Sequence, residues 1–222
     1  MNIEQLATWP IFAKLDEQTL QAIAPLAQAH SYTAGQIIIP EEAPCQNVFL
    51  IEQGFVRLYQ LSTEGREHVL AYLEPGSLFG LIPILDGQET LATAEALTDV
   101  SLCVFPGEQF LMLMHRHPDL ALEVARSLAR QVRQLSIAVK DLALYPVRAR
   151  LARFLLSHAE SIPPYQRWTQ ERIATRIGTV RDVVGRLLRA FAQEGLIRRE
   201  RGRLVIVDRD TLEKIVISED NR

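Results

Sequence analysis

Several ingredients are scarce in this chain, and each scarcity removes a class of function. Its 222 residues hold two cysteines, Cys45 and Cys103, too few for a disulfide scaffold or a four-thiolate iron–sulfur cluster. Cys45, in the loop Glu41-Glu42-Ala43-Pro44-Cys45, is expected to be an inert surface thiol whose pKa the two glutamates raise, and Cys103 a small core residue. Histidines are few and dispersed: His30 and His158 stand alone, and the His115-x-His117 pair beside Pro118 is expected to be structural, so neither metal nor haem is assigned. No apolar run approaches the roughly 18 residues that span a bilayer. The opening MNIEQLATWP has no basic segment followed by an apolar one, so a cytoplasmic protein without membrane contact is expected. Lysine and arginine are absent from Glu67 to His115, where a buried anion would lack a cationic partner in the segment, a costly arrangement.

What is present is unevenly distributed. From Tyr145 onward the chain has 16 Lys+Arg against 10 Asp+Glu, a balance of +6, while residues 1–144 have 8 against 17, or −9. The basic part is drawn to polyanions and the acidic part repelled by them, so only the C-terminal part is expected to sit on nucleic acid. A hydrophobic content of 48% over this length supports one large or two modest domains.

Thr169 to Ile197, TQERIATRIGTVRDVVGRLLRAFAQEGLI, carries two short helical patterns joined across Gly178. The first opens at the N-cap residue Thr169 and places Ile173, Ala174 and Ile177 on one face. Gly178 can take the left-handed conformation that ends a helix and turns the chain. In the second, Val180, Val184, Leu187 and Phe191 form an apolar face, while Arg181, Gly185 and Arg189 make one row and Asp182 and Arg186 the next. An arginine fork matches guanine O6 and N7, and a carboxylate accepts from cytosine N4, which makes Arg181, Asp182 and Arg186 a base-reading set. Gly185 is expected to let the helix approach the groove closely. After it, Ile197 and Arg198-Arg199-Glu200-Arg201-Gly202-Arg203 lead into Leu204-Val205-Ile206-Val207, a β-hairpin wing with Gly202 at the turn and arginines placed for phosphate.

These motifs resemble the Crp-Fnr family of bacterial transcription regulators, and the resemblance covers most of the chain. Its strongest element is Val180-Arg181-Asp182-Val183-Val184-Gly185-Arg186, similar to the family's pattern of Arg, acidic residue, two further residues, Gly and Arg. The resemblance implies Arg181, Asp182 and Arg186 as base contacts on TGTGA-like inverted repeats and Thr169 as a backbone-phosphate contact. Gln170, Thr179, Arg189, Arg199, Arg201 and Arg203 complete the expected backbone set. Val180 and Val183 depart from the pattern, standing where many members carry Ser and Thr that reach phosphates, so some backbone anchoring is either lost or moved to the wing.

Residues 31–105 alternate as half-buried strands do, in SYTAGQIII, NVFLI, GFVRLYQL, REHVLAYL, LATAEAL and DVSLCVF. Gln53-Gly54, Thr63-Glu64-Gly65, Pro75-Gly76 and Asp86-Gly87 punctuate them. An antiparallel β-roll follows, and the resemblance implies a jelly-roll that senses an effector; residues 8–29 are expected to form short helices against it. From His117 to Tyr145, Ala121, Ala125, Leu128, Val132, Leu135, Val139 and Leu142 keep 4-3 spacing, the stripe of a parallel coiled-coil dimer. Pro146 breaks that helix and marks a hinge. The expected fold is thus α+β: a jelly-roll sensor with flanking helices (1–116), a dimerisation helix (117–145) and a winged helix-turn-helix (146–222).

The effector is less legible. Members that bind a cyclic nucleotide carry an acidic residue for the ribose and an arginine for the phosphate after a strand turn, and here Leu81 falls at the acidic position and Thr90 or Leu91 at the basic one. Cyclic AMP and cyclic GMP are therefore not expected, and no cofactor is assigned. A weaker pocket could use Arg57, Gly76, Gly80 and Thr90, with Arg66 as another cation. The expected partners are double-stranded DNA, a second copy of the chain, RNA polymerase and an unidentified signal, or control by abundance alone. The alternative is a cupin-like metal enzyme or a ligand-sensing module with an accessory C-terminal domain. Cupin chemistry needs clustered His and Glu ligands, and His68 is the single histidine within 31–105.

Overall fold

The computed structural model describes residues 2–61, 63, 67–158, 169–200 and 203–220. The chain divides into two compact units, Met1–Gln131 and Val132–Arg222.

The first unit opens with helices α1 (Ile3–Ala7) and α2 (Glu17–Ile23), each started by a side chain that accepts from its first turn, Asn2 from Gln5 and Asp16 from Thr19. Strands β1 (Gln28–Tyr32), β2 (Ile37–Ile39), β3 (Asn47–Gln53), β4 (Val56–Leu61), β5 (Glu67–Leu73) and β6 (Leu78–Phe79) follow. Then come helix α3 (Leu81–Asp86), β7 (Thr93–Ala96), β8 (Val100–Pro106), helix α4 (Gly107–Arg116) and the start of helix α5 (Pro118–Leu144). Among the described residues the strands form antiparallel sheets in the orders β1-β8-β3-β6 and β2-β7-β4-β5.

Successive strand residues point to opposite faces, and β3 and β8 exploit this by facing apolar material on both sides. Val48, Leu50, Cys103 and Phe105 pack into a core with α1, α2, α4 and the start of α5, while Phe49, Ile51, Leu102 and Val104 fill the space toward the second sheet. A strand covered on both faces reads as a continuous apolar run, as NVFLI does. Phe12, Phe105 and Phe110 anchor the helical side, with ring centroids 5.9 and 5.8 Å apart.

Two expectations are corrected here. SYTAGQIII is not one strand: β1 and β2 lie in different sheets, separated by a turn in which Gly35 has φ 85° and its N–H donates to the Ala96 carbonyl. Residues 8–29 are not helical throughout either, because β1 starts at Gln28 and pairs with Val104. The turn at Glu64-Gly65 and the side chain of Arg66 lie outside the described residues.

Helix α5 spans 27 residues, about 40 Å of rise. In its first turns Leu120 and Val124 are fully buried and Leu128 partly so, against the core shared with α1 and α2. Thr19 fixes its start, lying 3.1 Å from His117 Nδ1 and donating to Asp119 at 3.1 Å, so His117 takes part in joining α2 to the start of α5. His115 Nδ1 instead meets the Leu111 carbonyl at 2.8 Å. Beyond these turns Val132, Leu135, Val139 and Leu142 are all more than half exposed.

The second unit takes up α5 from Val132 and continues through helix α6 (Val147–His158), α7 (Gln170–Ile177), α8 (Arg181–Gln193), strands β9 (Ile197–Glu200) and β10 (Arg203–Ile206), and helix α9 (Arg209–Asp220). Its core joins Leu151, Phe154 and Leu155 of α6 to Ile173, Val184, Leu188, Phe191, Leu204 and Leu212. Pro146 ends α5, but this unit begins upstream of it. The last turns of α5 are tied to α6 and α7 through the Asp141–Arg153 ion pair and through Leu142, which packs over Gly178.

Candidate nucleic-acid interface

The Thr169 hydroxyl accepts from the Arg172 N–H at 3.2 Å and starts α7, whose residues Ile173, Ala174 and Ile177 are buried as the spacing predicts. At Gly178 φ is +66°, a conformation that favours glycine, and a Cβ there would lie 2.2 Å from Leu142 Cδ2, so the end of the Leu142 side chain would have to move aside. Arg150 of α6 donates to the carbonyls of Ile177 and Gly178 at 2.7 and 3.3 Å, satisfying acceptors that the end of α7 leaves open. Its burial pulls the Arg150 pKa below its ordinary value. Thr179 then donates its N–H to Ala174 at 2.9 Å, and α8 begins at Arg181.

Helix α8 buries Val184, Leu188 and Phe191 and exposes Arg181, Asp182, Arg186 and Arg189. The apolar face differs from the expected one at two positions. Val180 is 65% exposed, because as N-cap it leaves the helical spiral, and Leu188 is buried more fully than Leu187. Gly185 also lies against Gln170, whose Oε1 would be 3.1 Å from an added Cβ, so the absence of a side chain there permits the close approach of α7 to α8. Gln170, Arg181, Asp182, Gly185, Arg186 and Arg189 together line an open hollow of about 450 Å³. Among the described residues none of the exposed charges in it is spent on another side chain. Asp182, in the first turn of α8, is favoured there by the helix dipole.

The far end of α8 is fixed by a residue that sequence patterns did not single out. Arg148 of α6 forms a two-pronged bond to Glu194 at 3.1 and 2.5 Å and stacks 4.8 Å from the Phe191 ring. That bond holds the Glu194 carboxyl below its ordinary pKa. Arg148 and Arg150 thus hold the two ends of the α7–α8 arrangement from one helix. The sequence signal is three arginines, Arg148, Arg150 and Arg153, in an otherwise apolar segment, VRARLARFLL.

In the wing, β9 and β10 pair antiparallel with Leu204 opposite Arg199, and Ile197 and Leu204 are buried. Arg199 is exposed, whereas Arg198 meets Glu200 at 2.9 Å, a surface pair of little energetic weight. Arg201, the Gly202 turn and the Arg203 side chain lie outside the described residues.

The candidate effector residues have separate neighbours. Arg57 bonds Glu67 at 2.7 Å and Glu95 at 2.8 Å. Gly76 abuts Pro10 and Trp9, and Gly80 abuts Asn47, Phe49 and Cys45. The Thr90 hydroxyl donates to the Pro40 carbonyl at 2.6 Å and accepts from Ala43 at 3.2 Å. Of these only Thr90 lines the open hollow of about 530 Å³ formed with Glu42, Pro44 and Gly87–Leu91. Cys45 is half-buried rather than on the surface. Burial, and not the neighbouring glutamates, pushes its thiol pKa up, and Cys103 is pushed to about 12 by burial within its strand. Among the described residues no His, Cys, Asp and Glu side chains cluster as a metal site, and no helix is long and apolar enough to cross a membrane.

Comparison with known proteins agrees with this architecture. Residues 29–117 match the cyclic nucleotide-binding domain and residues 149–215 the Crp-like helix-turn-helix domain. The chain is 31% identical over 207 residues to the cyclic AMP receptor protein of Thermus thermophilus, covering 93% of this chain and 96% of that protein. It is 26% identical over 217 residues to the CRP-like cAMP-activated global transcriptional regulator of Mycobacterium tuberculosis, covering 94% and 97%. Superposition on the crystal structure of the Thermus thermophilus catabolite activator protein gives a TM-score of 0.56 at 31% identity, covering 95% of this chain and 99% of that one. A roll of the cyclic nucleotide-binding type, a long helix and a DNA-binding helix-turn-helix of the Crp type, matched along nearly the whole length of such relatives, make this chain a member of the CRP/FNR family of transcriptional regulators.

Proposed function

We propose that the chain works in the cytoplasm as a homodimer on palindromic operators, with Arg181, Asp182 and Arg186 reading base edges in the major groove. The observation that carries this is the open hollow of α8, where those side chains converge with Gln170 and Arg189 and none is neutralised by a described neighbour. Gln170 and Arg189 line the hollow and, with Thr169, Thr179 and the exposed Arg199 of the wing, are the proposed backbone-phosphate contacts, together with Arg201 and Arg203 by their place in the sequence. Thr169 accepts from Arg172 and still has its hydroxyl hydrogen to give to a phosphate. Pairing of the exposed stripe Val132, Leu135, Val139 and Leu142 with its twin supplies the two-fold axis. Half-sites about one helical turn apart, roughly 34 Å, follow from that symmetry. Regulation is exerted on RNA polymerase, not through catalysis by this chain.

The described residues of the roll do not fit a cyclic nucleotide phosphate. Arg57 is engaged by two carboxylates, and withdrawing it from them would leave Glu95 partly buried without a partner. Leu81 belongs to the core, Thr90 is satisfied by backbone, and Glu67 to His115 holds no lysine or arginine. Control therefore comes through another signal at the roll or through the amount of protein made.

Selection of binding sites from random duplexes tests the proposal. The expected product is an inverted repeat with TGTGA-like arms. Arg186→Ala should cost about 1–3 kcal/mol on that site and far less on random DNA. Equal losses on both would remove Arg186 from base reading.

A further inference from the structure

The N-cap of α8 is occupied by a residue that neither helix stability nor the core accounts for. Val180 adopts φ −102° and ψ 153°, provides no side-chain cap and is 65% exposed. Valine is a poor N-cap, whereas Ser, Thr, Asn and Asp accept from the first-turn N–H groups and stabilise the helix. Helix α7, directly upstream, uses Thr169 in that way. Val184, four residues on, is fully buried, so the face packed on α7 stops short of Val180. Its sequence neighbours Arg181 and Asp182 line the arginine-walled hollow.

We infer that Val180 is a specificity residue, whose isopropyl group meets the C5-methyl of a thymine beside the base pairs read by Arg181 and Asp182. The inference rests on the assignment of α8 to the major groove. The partner follows from the chemistry: Val180 has no group with which to hydrogen-bond, and among the base edges of the major groove the thymine methyl is the apolar feature. An exposed aliphatic group at the head of the helix loses water-facing area when such a methyl covers it. Removing water from that contact is worth about fourfold in affinity per half-site, the equivalent of one buried methylene-sized group.

The test uses the full chain and its selected operator, with each thymine replaced in turn by deoxyuridine, which preserves base pairing and removes only the methyl group. The unaltered protein should lose about fourfold at one position per half-site. Val180→Ala, an equally poor cap that leaves the helix start comparable but presents one methyl in place of the isopropyl group, should show a smaller loss on the deoxyuridine operator. Val180→Ser should lose methyl sensitivity while unfolding at a higher temperature, because it restores the cap. Indifference of the unaltered protein to every replacement would overturn the inference, as would undiminished sensitivity in both variants. Failure to prefer the operator over scrambled DNA would overturn the groove assignment itself, a result distinct from methyl indifference on an operator still bound specifically.

Discussion

Gly178 shows how one residue can set the geometry of a DNA-binding surface. Its φ of +66° lets the chain leave α7 and enter α8 at once, and the missing side chain admits Leu142. A left-handed conformation costs a non-glycine residue roughly 1–2 kcal/mol, and an added methyl would also displace Leu142. Gly178→Ala should therefore destabilise the second unit by about 1–2 kcal/mol in urea unfolding, and unchanged stability would mean that the turn adapts without strain. Arg150 acts on the same turn from the other side, through the Ile177 and Gly178 carbonyls. Arg181 and Arg186 differ from both because they are exposed and hold no described partner, so their substitution should spare stability and reduce DNA binding.

Among the elements, those with a strong period were legible from sequence. The α5 stripe keeps a 4-3 repeat over most of its 27 residues, and α7 has a cap, an apolar face and a terminal glycine in order. Patterns failed where a contact joins positions far apart. Nothing near Gln170 and Gly185 indicates that one covers the other, and Arg148 and Glu194 are linked only by the fold. The division of residues 31–39 was hidden because apolar residues flank Gly35 on both sides, and the exposure of Val180 because periodicity cannot tell a first helical residue from a cap. The wing and α5 each yield a prediction. Arg199→Ala should lower the slope of log affinity against log salt by about 1 while leaving base preference unchanged; an identical slope would make the hairpin a solvated surface. Val132→Glu should place a charge between paired helices, so sedimentation should report monomers and gel shift a loss of operator binding together. A variant that still sediments as a dimer would locate the interface elsewhere.

At the scale of the whole molecule, charge and cover divide the labour. The acidic roll has two apolar layers and few cations, and the basic second unit presents arginines from α8 and the wing on a frame held by α6. The uncovered stripe of α5 runs into the second unit, so pairing of two chains would place one recognition helix on each side of a two-fold axis. In such an assembly any change in how the α5 helices pair would move both recognition helices. The central claim is that this happens without a cyclic nucleotide, since Arg57 is already committed to Glu67 and Glu95. The most direct test is an equilibrium titration of the full chain on its selected operator and on scrambled DNA, at fixed salt, with and without cyclic AMP or cyclic GMP. The account predicts a preference for the operator of at least about 10³-fold that is the same in every condition; a preference that appears only when either nucleotide is added would contradict it.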